Sequence, residues 1–240
     1  MHTVGILGGM GPAAGADFVR LFVQACAEHL RRAGLAVSDQ SFPEHWLAQV
    51  PVPDRTLALH DVSLGAHQPL DLMLQALGRL SALGARSVAI ACNTAHAWHA
   101  SLQERFPQLE LLHMAQEVAK ELHAKRIAAV SLMATEGTYR TGLYEKALAE
   151  YGIVCHLPSL AQREKITHGI FQGVKAGNMA LATHCFGEVA LSLPDQPIIM
   201  GCTEIPLGLH DLGAAKYLTL IDPAQVLAAS LASRAYSASP

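Results

Sequence analysis

Apolar residues along this chain fall into short runs bounded by glycine, proline or polar turn residues, and longer stretches with helical spacing separate the runs. The runs predict strands near Thr3–Leu7, Ser87–Ala91, Arg126–Leu132, Ile153–His156, Pro197–Gly201 and Leu218–Ile221. Between them the spacing predicts helices over Ala13–Ala33, Ser63–Leu83, Ala95–Arg105, Met114–Leu122, Tyr139–Tyr151, Gln162–Val174, Ala180–Leu191 and Pro223–Ala235. Strands rich in Val and Ile that alternate with helices indicate parallel sheets with helices on their faces, the α/β class. The stretch "RRAGLAVSDQSFPEHW", residues 31–46, predicts a surface loop.

An internal echo sharpens this picture. "TVGILGGMGP" and "RIAAVSLMATEGT" both run strand, Met, then a small-residue turn into a helix. "SVAIACNTAH" and "PIIMGCTEI" both run strand, Cys, then an amide or hydroxyl residue and a helix start. The echo predicts two pseudo-symmetric lobes, 1–108 plus 210–240 and 109–209, each a parallel sheet flanked by helices. No Pro/Ser-rich linker separates them, so the expected active site is the cleft between two tightly joined lobes. The final helix, following "LIDPAQVL", is expected to fold back onto the first lobe.

Composition excludes more than it assigns. At 240 residues, with 51% hydrophobic and 15% charged residues, the chain buries a sizeable core and is not of the disordered class. A formal net charge of -3 gives no reason to expect nucleic acid or an anionic membrane as partner. No window approaches the roughly eighteen uncharged apolar residues of a membrane span. The N-terminus lacks a basic region followed by a cleavable apolar stretch, so secretion is not expected. The five cysteines (Cys26, Cys92, Cys155, Cys185 and Cys202) are odd in number and form no C-x-x-C pair. That predicts free thiols in a reducing cytoplasm rather than a disulfide framework.

Gly9-Met10-Gly11-Pro12-Ala13-Ala14 fits the dinucleotide fingerprint G-x-G-x-x-G/A. A nicotinamide oxidoreductase would also need an acidic residue ending the second strand, about twenty residues on. That count lands on "HLRRAGL", which is basic, and Asp39 comes later. The glycine loop is therefore expected to form one wall of a small-substrate pocket bordered by Met10.

Cys92 and Cys202 carry the sharpest chemical signal. Each ends an apolar strand and opens a helix start, as Cys92-Asn93-Thr94 and Cys202-Thr203-Glu204. Ligands bind at the carboxyl ends of such strands. A helix N-terminus there would favour an anion and lower a thiol's pKa. Cys26, Cys155 and Cys185 lack that context and are expected to pack in the core. Two thiols in matching contexts suit inversion at carbon, where one removes a proton and the other returns one to the opposite face. Cys92, His96 and His99 lie on one helical face and offer a weaker metal reading without an evident fourth ligand.

"GILGGMGP", "VPDRT", "ACNTAH", "ATEGTY", "REKI" and "GCTEIPL" occur in the order found in the aspartate/glutamate racemase family. Over nearly its whole length the chain resembles the aspartate-racemase branch of that family. The resemblance implies cofactor-independent racemisation of an acidic amino acid, aspartate foremost, by Cys92 and Cys202, in a homodimer. It also implies that Asn93, Thr94 and Thr203 bind the substrate α-carboxylate, with Thr135 and Thr138 closing on that group or on the amine. Arg55 of "QVPVPDRT" would face the side-chain carboxylate, and Lys165 of "QREKITHGIF" would be the second cation. After Lys165 the chain departs from the family's acidic run, reading "FQGVKAG". Alternatives within the superfamily are a broad-specificity racemase, a hydantoin racemase, a maleate isomerase or an arylmalonate decarboxylase; outside it stands a non-catalytic amino-acid-binding protein.

Overall fold

The computed structural model of the protein describes residues 1–60, 68–209 and 218–237. The chain divides into two compact units, Met1–Glu117 together with the segment from Ala224, and Val118–Pro223.

In the first unit, β1 (Val4–Gly8), β2 (His45–Gln49), β3 (Ser87–Ile90) and β4 (Glu110–Leu112) form a parallel sheet in the order β2-β1-β3-β4. Its helices are α1 (Pro12–Arg32), α2 (Arg55–His60), α3 (Pro69–Ala82), α4 (His99–Arg105) and α5 (Met114–Ala124), the last being where the division falls. Alternation along β1 sends Val4 and Ile6 to one face and Leu7 to the other. The first face packs on Phe18, Phe22 and Cys26 of α1, and the second on Met73, Leu77 and Leu80 of α3. Each such side chain contributes about 1.5–3 kcal/mol by leaving water.

The second unit repeats the plan. Its strands are β5 (Ala129–Ala134), β6 (Val154–His156), β7 (Ile198–Gly201) and β8 (Leu220–Ile221), again all parallel, in the order β6-β5-β7-β8. Its helices are α6 (Glu136–Thr141), α7 (Leu143–Ala149), α8 (Leu160–His168), α9 (Met179–Ser192) and α10 (Ile205–Leu209). Beyond α8 the helix continues as a π-wound turn, Gly169–Val174. Met133, Ile166, Phe186, Ile198 and Met200 make its core with α8 and α9.

The last helix, α11 (Pro223–Tyr236), packs Leu227, Leu231 and Ala232 into the first unit's core. Ser230 Oγ donates to Glu117 Oε2 at 2.7 Å and Tyr236 Oη to the Ser41 carbonyl at 2.8 Å. Among the described residues no helix is long and apolar enough to cross a membrane.

Two parallel sheets flanked by helices are what the hydrophobic pattern predicts, and the strand order bears out the internal echo. Among the described residues β2, β4, α2, α10 and a 3-10 turn at Asp39–Ser41 are additions. β2 lies within and just beyond the expected loop, on a sheet edge where Trp46 and Leu47 stay exposed, so it carries no core signal. The division also differs from residue 108, because β4 pairs with β3, and from residue 210, because β8 pairs with β7. Residue 210 and the start of the helix expected over Ser63–Leu83 lie outside the described residues. The helix expected over Tyr139–Tyr151 is broken at Gly142, which takes the left-handed region at φ 62°.

Candidate active site

In the first unit β1 and β3 are neighbours, with Leu7 beside Ile90, and the chain leaves their carboxyl ends through Gly9-Met10-Gly11 and Cys92-Asn93-Thr94. This is the switch point at which open α/β sheets bind ligands. Gly9 sits at φ 91°, and a Cβ there would strike the Val50 backbone. The Gln49 amide packs over Gly8 and Gly15, and its Nε2 donates to the Pro12 carbonyl at 2.9 Å. Gly8, Gly9 and Gly15 thus admit close approach by the chain's own neighbours. No acid ends β2, where Gln49 stands, so the dinucleotide pattern is incomplete.

Met10 is buried, and its carbonyl accepts from Arg55 Nη2. Arg55 Nη1 donates to the Val52 and Pro53 carbonyls, both at 3.1 Å. Asp54 turns instead to the Thr56 and Leu57 N–H groups at 2.8 and 3.0 Å, opening α2. A guanidinium carries five N–H donors. These bonds use three of them, and the buried Nε has no hydrogen-bond partner among the described residues. Met10 and Arg55 are therefore brought together at the loop beyond β1.

Cys92 is a free thiol, 5% exposed, whose N–H donates to the Ile90 carbonyl at 2.8 Å. Asn93 and Thr94 are buried beside it in sequence. The expected helix start is a 3-10 turn, Thr94–Trp98, and regular α-helix begins only at His99. His96 closes that turn from its N–H to the Asn93 carbonyl at 3.1 Å, and its ring Nε2 lies 3.3 Å from the Ile90 carbonyl. His99 Nε2 lies 2.8 Å from the Leu111 carbonyl. The His96, His99 and His113 rings cluster with centroids 4.8–5.9 Å apart. Burial holds His96 well below the usual imidazole range and His99 below it too, so both rings are neutral at pH 7. With these rings turned to main-chain carbonyls, no group of three His, Cys, Asp or Glu is placed to hold a metal among the described residues.

In the second unit Ala134 of β5 pairs with Gly201 of β7, so Thr135 and Cys202 leave adjacent strand ends. Thr135 caps α6: its Oγ1 accepts from the Thr138 N–H at 3.3 Å and lies 3.1 Å from Thr138 Oγ1. Tyr139 Oη accepts from the Ala134 N–H at 2.8 Å and donates to the Leu132 carbonyl at 3.1 Å, which fixes the strand end.

Cys202 is 6% exposed, and its thiol donates to Glu204 Oε2 at 3.0 Å. Thr203 Oγ1 donates to the same oxygen at 3.2 Å. Burial, then the Glu204 charge, pushes the Cys202 thiol well above its usual range, while Lys175 acts in the opposite sense. This corrects the expectation of a thiol lowered by a helix N-terminus: α10 is only five residues long, and the nearest carboxylate opposes ionisation. Cys202 therefore rests as a protonated donor.

Lys165, expected beside substrate, pairs with Glu188 across an exposed face of α8 and α9. The cation beside the cysteine is Lys175, whose Nζ lies 3.9 Å from Glu204 Oε1 and 4.7 Å from the Phe171 ring centroid. Phe171 also lines a cavity of about 550 Å³ with Glu136, Arg163 and His168. Neither Lys175 nor Glu204 was among the site residues read from sequence; Glu204 stood in "GCTEIPL" beside Cys202, and only the departure at "FQGVKAG" marked the stretch that holds Lys175. Burial pushes the Cys26 and Cys155 thiols up to about 12, which suits packing roles.

A family model described as Asp/Glu/Hydantoin racemase matches residues 7–231. Over 238 residues the chain is 26% identical to the broad specificity amino-acid racemase RacX of Bacillus subtilis (strain 168), covering 96% of each protein. It is 32% identical over 158 residues to a glutamate racemase of Carboxydothermus hydrogenoformans, which is 61% of this chain and 55% of that one. Among solved structures it is similar to the Picrophilus torridus aspartate racemase, with a TM-score of 0.80 and 25% identity over 98% of this chain and 94% of that chain.

Proposed function

Because the chain belongs to the Asp/Glu/Hydantoin racemase family, we propose that it racemises an acidic amino acid, aspartate foremost, without a cofactor, using Cys92 and Cys202 as its acid–base pair. One observation carries this: two sheets of identical strand order each present one buried free cysteine just beyond the third strand. Inversion needs a base on one face of Cα and an acid on the other. The thiolate of one cysteine takes the α-proton, the C–H electron pair passes into the α-carboxylate, and the other thiol returns a proton. In the reverse direction the two exchange roles.

Hydroxyl and amide donors at Asn93, Thr94, Thr203, Thr135 and Thr138 would stabilise the charge that develops on the α-carboxylate. Glu204, 3.0 Å from Cys202 Sγ, is the acceptor for that thiol's proton. The N–H donors that Arg55 leaves unused, Nε among them, suit a bidentate side-chain carboxylate. Lys165 is left out of the site because Glu188 holds its ammonium.

Incubation with L-aspartate in deuterated water, followed by chiral chromatography, tests the proposal. D-Aspartate labelled at Cα is the expected product, and Cys92→Ser and Cys202→Ser should each lower the rate by about a thousandfold or more. Full activity in both variants would overturn the two-thiol mechanism. The identity to RacX over nearly the whole chain supports a second reading, broad specificity. A panel of neutral and basic amino acids separates the two, since only a broad-specificity enzyme turns these over.

A further inference from the structure

The cavity of about 550 Å³ beside Phe171 is built by the second unit alone. Most of its wall is one face of α8 and its π-wound continuation, where Leu160, Arg163, Glu164 and Phe171 recur at helical spacing, and Glu136 comes from α6. Ile166 and Ile170 bury a different face of the same helix in the core. Neither Thr135 nor Cys202 lines the cavity, so it is separate from the cysteine end of the sheet.

Two signs of charge stand in this cavity without neutralising one another. Arg163 lies 4.5 Å over the Tyr139 ring, and its Nε donates to the Pro158 carbonyl at 3.0 Å. Those contacts fix the plane of the guanidinium. Its two Nη groups carry all but one of its N–H donors, and among the described residues they have no partner. Glu136 and Glu164 are likewise in no ion pair among the described residues. Between the charges the wall is apolar, with Leu160 75% exposed and the Phe171 ring half-buried.

We infer that this cavity is a second amino-acid site, taking a zwitterion with a bulky apolar side chain. The ligand's carboxylate meets the open Nη edge of Arg163, which a planar fork suits. Its ammonium meets Glu136 and Glu164, and its side chain lies on Phe171 and Leu160. A polyanion would face two carboxylates, and a simple amine would leave the guanidinium unmatched. A free amino acid and a short peptide carry the same two charged ends, and the volume admits either. Arg163 rests on Tyr139, whose hydroxyl holds the end of β5 just before Thr135, so a ligand here touches the support of the other site without entering it. Nothing in this recognition depends on the reaction proposed at the cysteines.

Calorimetric titration of the full chain with L-phenylalanine and with glycyl-L-phenylalanine tests the site. Saturable binding of one molecule per chain is expected, and the tighter probe tells free amino acid from peptide. Arg163→Met should weaken binding by about tenfold or more, and Glu136→Gln combined with Glu164→Gln should do the same, the loss expected for a charged hydrogen bond. N-acetyl-L-phenylalanine and 2-phenylethylamine each lack one charge, and each should bind about tenfold more weakly to the unaltered protein. Binding at the cysteines, which a broad-specificity racemase would show, is told apart because Arg163→Met leaves it in place. No saturable binding of either probe, wild-type affinity in both Arg163→Met and the double glutamine variant, or analogues that bind as well as phenylalanine would each overturn the inference. Racemisation of aspartate, present or absent, is read in a separate assay and decides only the proposed reaction.

Discussion

Arg55 holds three main-chain carbonyls around the loop beyond β1 and keeps a buried Nε–H unused. Lysine has the charge but neither the plane nor the fork needed to hold the loop and a carboxylate together. Arg55→Lys is therefore expected to raise KM for aspartate by about tenfold to a hundredfold, the range of a lost charged hydrogen bond. An unchanged KM in steady-state kinetics would remove Arg55 from substrate binding. At this scale the two cysteines were legible because each stands at the end of an apolar strand, a purely local signal. The direction of the Cys202 shift was not legible. It depends on burial and on a carboxylate two residues away whose orientation is set by packing. Lys175 was hidden for a similar reason, since its partner lies on a different element.

Elements buried on both faces announced themselves. β1, β3 and β7 are buried at every position and, Ser87 apart, carry no polar side chain, and each was read within a residue or two. β2 mixes half-buried and exposed positions without regular alternation on a sheet edge, so no periodicity set it apart from the loop around it. The π winding after α8 was invisible, because its apolar spacing looks like a plain continuation of the helix. Its two glycines are the physical clue. Gly173→Ala would drive a Cβ into Ala182 of α9, and is expected to destabilise the protein by about 1–3 kcal/mol through overpacking. Urea unfolding measures this, and an unmoved midpoint would mean that the turn and α9 separate more readily than their contact implies.

For the molecule as a whole, the duplication was legible from repeated strand-plus-turn phrases, whereas the division of the chain was displaced by the short strands β4 and β8. The histidine cluster of the first unit makes a prediction at this level. His96 is buried and neutral, with a folded pKa below the usual 6.5. Above that pH folded and unfolded chains are both unprotonated there, and the ring makes no pH-dependent contribution. As pH falls through it, the unfolded chain binds a proton that the folded chain refuses, so stability drops by about 1.4 kcal/mol per pH unit from this residue alone. The urea midpoint should fall between pH 7 and pH 5.5, and His96→Gln, or His99→Gln as a milder change, should flatten that fall. A midpoint constant with pH would show that the cluster accepts protons while folded.

The two units share a strand order but dress their cysteines differently, with Glu204 and Lys175 beside Cys202 and a cluster of three histidines along the chain from Cys92. Mirror-image substrates have equal free energies, so for the proposed reaction the specificity constants for the two enantiomers must match, however unlike the two bases are. The asymmetry has only one outlet. Any kinetic trace of it takes the form of unequal turnover numbers offset by equally unequal Michaelis constants, so that the enantiomer held more tightly is converted more slowly.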